Sequence, residues 1–107
     1  MVVKQTIQAD PDLDGMEILQ ALADPVRVEI VRQLASCSAG DELTCGAVQL
    51  PVTKSTASHH FRALVDAGVI AERCQGTRKY LQLRRAELDE RFPGLIDSVL
   101  RATSPDG

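Results

Sequence analysis

Apolar positions along this chain follow two periods, and the switch between them falls at Gly68. Ahead of it the spacing is helical. Leu13, Met16, Leu19 and Leu22 recur at i, i+3, i+6 and i+9, which predicts a first helix starting near Asp12 and weakened locally by Gly15. Asp24-Pro25 is a start signal, a capping carboxylate before a proline whose missing N–H is not needed at the first helical position. Val26, Ile30, Val31 and Leu34 then form the inner face of a second helix ending near Ala35. The segment SCSAGDEL reads as a turn. A short third helix is expected over Thr44–Gln49, interrupted by Gly46 and stopped by Pro51, because the residue before a proline is pushed out of helical geometry.

The stretch TKSTASHHFRALVDAG, Thr53 to Gly68, has two unlike faces. Ala57, Phe61, Leu64 and Val65 make a core-facing stripe, while Ser55, Thr56, His59, Arg62 and Ala63 point the other way. Thr53 can cap its start and Gly68 suits the left-handed residue that ends a helix. Beyond Gly68, Val69–Cys74 and Arg78–Leu83 are short β-prone runs joined by Gln75-Gly76-Thr77, the pattern of a hairpin. Leu81 and Leu83 share one face of it, with Arg78, Tyr80 and Gln82 on the other. Arg84 to Glu90 reads as a charged connector or single turn. Phe92, Leu95, Ile96, Val99 and Leu100 then give a last helix a full apolar stripe, with Pro93 near its start. The expected organisation is a flexible arm over residues 1–11, one domain over 12–101 and a disordered tail over 102–107. The fold class is mainly α with a two-stranded β-hairpin.

Composition narrows this further. Hydrophobic residues make up 44% of 107 and aromatics only 3%, so the core must be built from aliphatic side chains on packed helices. No apolar run approaches the roughly 20 residues of a membrane span, and the start lacks the apolar segment of a secretory signal, so no membrane partner and a cytoplasmic location are expected. Three cysteines, at 37, 45 and 74, are an odd number without regular spacing and argue against a disulfide framework. No nucleophile set, carboxylate pair, phosphate loop or metal motif is present, so neither an enzyme nor a cofactor is expected.

The net charge of −3 is unevenly spread. Residues 53–85 carry seven cations against Asp66 and Glu72, a local balance of +5. Such clustering is the electrostatic footprint expected on nucleic acid. On the helix after Thr53, small hydroxyls with a His and an Arg let a backbone approach base edges in a major groove. The candidate contacts to double-stranded DNA are Lys54, Ser55, Thr56, Ser58, His59 and Arg62, with Arg78 and Lys79 at the hairpin tip. Ser55, Thr56, His59 and Arg62 are expected to reach bases, and Lys54, Arg78 and Lys79 to hold phosphates.

Helix, helix, short helix, recognition helix, basic hairpin, helix is the order of a winged helix-turn-helix. From about Met16 to Leu100 the chain resembles the small ArsR-type repressors of bacteria, in ALADPVRVEIVRQLA, in KSTASHHFRALVDAGVI and in the strand-turn-strand carrying QGTRKYLQL. The resemblance implies a homodimeric transcriptional repressor on a palindromic operator, dimerised through its terminal helices. The apolar positions for that contact are Leu13, Met16 and Leu19 of the first helix with Phe92, Leu95, Ile96, Val99 and Leu100 of the last. A helix as short as the last is unstable alone and needs its stripe covered.

The chain departs from metal-sensing relatives. Where those carry a C-x-C-type pair, it reads Glu42-Leu43-Thr44-Cys45-Gly46, and no His follows His60. No metal site is therefore expected, and the effector is left unassigned. Two alternatives stand beside this reading. One is a metal- or thiol-responsive repressor using Cys45, Cys37 or Cys74, and the other a winged-helix protein-interaction module that does not bind DNA.

Overall fold

The computed structural model describes residues 13–37 and 41–104, which form five α-helices and a three-stranded antiparallel sheet. The expected arm, residues 1–11, lies outside the described residues, as do 38–40 of the first turn and 105–107 of the tail. Helix α1, Gly15–Leu22, starts where the Asp14 carboxylate accepts the amide of Met16 at 2.8 Å, two residues later than the sequence suggests. It buries Ile18, Ala21 and Leu22, whereas Met16 and Leu19 are 63% and 47% exposed. The expected stripe thus divides between core and surface.

Helix α2, Pro25–Ala35, begins at Asp24, whose carboxylate accepts the amides of Val26 and Arg27 at 2.8 and 3.2 Å. Burial alone would raise the Asp24 carboxyl, but those amides, with His60 and Arg27 nearby, hold it below its ordinary value. Asp24→Ala should therefore lower unfolding free energy by about 1 kcal/mol near neutrality. Because the folded pKa is depressed, this stability is present above the unfolded value and is lost as the pH falls through the folded one. Denaturant melts of both proteins over a pH series check this, and a gap that persists in strong acid would count against the cap.

The expected third helix is reduced to a single turn. Leu43–Thr44 is instead a short strand, β1, followed by a single 3-10 turn over Cys45–Ala47. Gly46 is a poor helix former, and Leu43 and Thr44 find partners in Leu81 and Tyr80, far along the chain. The hairpin strands are β2, Ile70–Gln75, and β3, Arg78–Leu83, so the expected two-stranded wing becomes a sheet of order β1-β3-β2. Gln75 pairs with Arg78, leaving a two-residue turn in which Gly76 takes φ 62°.

Between the 3-10 turn and β2 runs α3, Lys54–Asp66. Gly68 closes it with φ 84°, and a Cβ there would also lie 2.5 Å from Leu13 Cδ2, so this corner admits no larger residue without rearrangement. After the sheet, the expected connector is a helix, α4, Arg85–Arg91, fixed by fully buried Leu88 and an Arg85–Asp89 pair at 2.9 Å. Helix α5, Leu95–Ala102, follows Gly94. Ile18, Ile30, Leu64, Ile70, Leu81, Leu88 and Ile96 meet in one aliphatic core drawn from every layer. No helix among the described residues is long and apolar enough to cross a membrane.

Candidate nucleic-acid interface

Helix α3 is anchored from below by Phe61 and Leu64, both buried, with Ala57 and Val65 packed beside them. The 3.6-residue period therefore turns Ser55, Thr56, His59 and Arg62 outward, and these four are exposed, as are Lys54 and Ser58 along the edge of the apolar stripe. Thr53 Oγ1 accepts the amide of Thr56 at 3.2 Å and lies 3.0 Å from the Thr56 hydroxyl, fixing the first turn. No acid interrupts this face before Asp66. Asp66 lies 3.4 Å from Arg62, but both side chains are more than half exposed, so this pair holds Arg62 only weakly.

Two contacts from α2 set where α3 sits. The Arg27 guanidinium donates from Nε to His60 Nδ1 at 3.0 Å, turning that ring inward while its neighbour His59 stays exposed. The Gln33 amide clamps the loop ahead of α3, donating to the Gln49 carbonyl at 2.7 Å and accepting the Gln49 N–H at 3.0 Å. Sequence reasoning missed both, because Arg27 and Gln33 belong to a helix whose polar positions carry no local mark of their partners.

The basic wing is less free than its sequence suggests. Arg73 forks onto Glu42 at 2.8 Å and lies 4.4 Å over the Tyr80 ring. This bond holds the Glu42 carboxyl below its ordinary value. Lys79 lies 3.3 Å from Glu72. Among the described residues, Lys54 and Arg78 form no ion pair. The Cys45–Gly46 turn borders one hollow with Lys54 and another with Arg78, so these two cations flank the same turn.

The apolar positions assigned to a dimer contact separate in the structure. Met16 and Leu19 are exposed, and Phe92, Leu95, Val99 and Leu100 are partly buried. Leu13 and Ile96 are instead used inside the protomer, at 7% and 0% exposure, so neither offers surface to a second copy. Periodicity could not separate them, since α5 carries a stripe wide enough to serve core and surface together. Its end is pinned by Arg32, which donates to the Leu100 carbonyl at 3.0 Å and to the hydroxyl of Thr103 at 2.9 Å. Thr103, within the segment expected to be disordered, is thereby held.

All three cysteines are free thiols, Cys37 and Cys45 half-buried and Cys74 exposed. Burial pushes the Cys45 thiol up; Lys79 opposes the rise, and Glu72 and Cys74 add to it. That is the direction of a less reactive sulfur. Among the described residues no group of three or more His, Cys, Asp or Glu is arranged to hold a metal ion.

Comparison with known proteins points one way. A family model for a helix-turn-helix domain matches residues 22–73. The HTH-type transcriptional regulator YceK of Bacillus subtilis is 34% identical over 96 residues, covering 88% of this chain and 94% of that protein. The arsenical resistance operon repressor of the same organism is 35% identical over 82 residues, covering 76% and 72%. Among solved structures, a possible transcriptional regulator for arsenical resistance superposes with a TM-score of 0.61 at 29% identity, over 78% of this chain and 84% of that one. A homodimeric winged helix-turn-helix domain of Mycobacterium bovis shares the fold, with a TM-score of 0.64 at 24% identity and 96% coverage of both chains. With α3 presented beside a cationic wing and relatives aligned along nearly the whole chain, this protein belongs to the ArsR-type family of winged helix-turn-helix transcriptional regulators.

Proposed function

We propose that the protein is a homodimeric repressor that reads a palindromic operator through paired α3 helices and is released by a signal still to be identified. The observation that carries this reading is the exposed surface of α3, where six small, polar or cationic residues stand with no acid before Asp66. Ser55, Thr56, His59 and Arg62 would contact bases, with Ser58 beside them. Lys54, Arg78 and Lys79 would hold phosphates, Lys79 less strongly because Glu72 already neutralises it. A two-fold dimer would set the half-sites about one helical turn apart, roughly 34 to 36 Å.

Exposed Met16 and Leu19, with the uncovered parts of Phe92, Leu95, Val99 and Leu100, support the dimer contact. The relatives named as arsenical resistance repressors support repression. Anisotropy titrations on an operator selected from random duplexes, and on its scrambled counterpart, test this over a salt series. Tight operator binding that weakens linearly in log salt is the expected result. No binding to either duplex, even at low salt, would favour the protein-interaction alternative.

A further inference from the structure

Beneath the start of α3 lies a cavity of about 500 Å³, within the roughly 300 to 1,000 Å³ range of small-molecule sites. Val48, Leu50, Ala57 and Phe61 line it, with Cys45, Gln49, Ser58 and Lys54 as its residues with polar or charged side chains. Among the described residues, Lys54 is the one charged residue on the lining and forms no ion pair. An apolar chamber with a single cation selects a ligand with an apolar body and one negative charge.

We infer that this cavity binds an amphipathic monocarboxylate, its hydrocarbon part against Phe61 and Leu50 and its carboxylate on Lys54, and that occupancy weakens DNA binding. The ligand would draw Lys54 away from the phosphate it otherwise holds. Its body would also wedge between the Val48–Val52 loop and α3, changing the pose of the helix. This regulatory half rests on the DNA-binding reading above, whereas the binding half does not.

Octanoate is a suitable probe, with octan-1-ol as its uncharged counterpart. Amide chemical shifts of the free protein should move saturably with octanoate across residues 45–61, and octan-1-ol should bind roughly tenfold or more weakly, as expected for a lost charge-assisted contact. Lys54→Met should bring octanoate down to the level of the alcohol. Ala57→Leu should fill the chamber and abolish the shifts; if that chain fails to fold, Val52→Phe does the same from the facing wall. Equal binding of acid and alcohol, or shifts confined to the exposed Met16 and Leu19, would overturn the site.

Octanoate at saturation should also lower operator affinity. Binding in the cavity with operator affinity unchanged would overturn the regulatory link. If the protein binds no duplex at all while the shifts appear as described, the carboxylate site stands and the DNA-binding reading fails.

Discussion

Aspartate at both Met16 and Leu19 is expected to leave a folded monomer whose operator affinity is lower by about 10² to 10⁴, the gain that two linked binding units confer over one. The choice of positions follows from exposure. At 63% and 47%, these side chains contribute little to the protomer core, so their replacement tests the surface rather than the fold. Two carboxylates per protomer, buried without partners in an apolar contact, would cost more than such a contact returns. Ile96→Asp, by contrast, would place a charge at a position with 0% exposure and unfold the chain. Sedimentation velocity with anisotropy on the same samples decides the matter. A double variant that stays dimeric would remove α1 from the interface, and an unmutated protein that is monomeric at micromolar concentration would overturn the dimer itself.

The second large effect concerns division of labour on DNA. Arg62→Ala should lose about 1 to 3 kcal/mol on the preferred operator and little on scrambled duplex, if this outward Arg forks onto a base edge as proposed. Its pairing with Asp66 competes only feebly, being solvent-exposed at both ends. Arg78→Ala should weaken both duplexes alike and reduce the salt slope by about one per site. Lys79→Ala should do less than Arg78→Ala, since the partner Glu72 at 3.3 Å already offsets its charge. If Arg62→Ala weakens both duplexes equally while Arg78→Ala abolishes discrimination, the two roles are interchanged.

What could be read directly from the chain was local. Asp24-Pro25 and Thr53 are caps whose partners lie two or three residues away, and Gly68 and Gly76 are turn residues acting where they stand. The ends of α2 and α3 and the course of the hairpin were legible for that reason. What could not be read depends on residues distant in sequence. Leu43 and Thr44 are a strand only because Leu81 and Tyr80 lie beside them. Ile96 is a core residue only because the rest of the protomer closes over it. The same holds at the candidate interface: exposure of the α3 face follows from a helical period, but the retirement of Arg73 by Glu42, 31 residues away, is invisible in a local charge count.

Arg32 and Gln33 are neighbours on α2, yet one secures the end of α5 and the other the loop before α3. With Val28, Ile30, Val31 and Leu34 also buried, α2 is held along its length. Its central amides are therefore expected to exchange with solvent more slowly than those of the first turn of α3. The first turn of α3 is exposed and held by Thr53, with Gln33 fixing the loop ahead of it. On the proposed reading, a ligand at the start of α3 would therefore act on the DNA-facing end without disturbing the α2 scaffold.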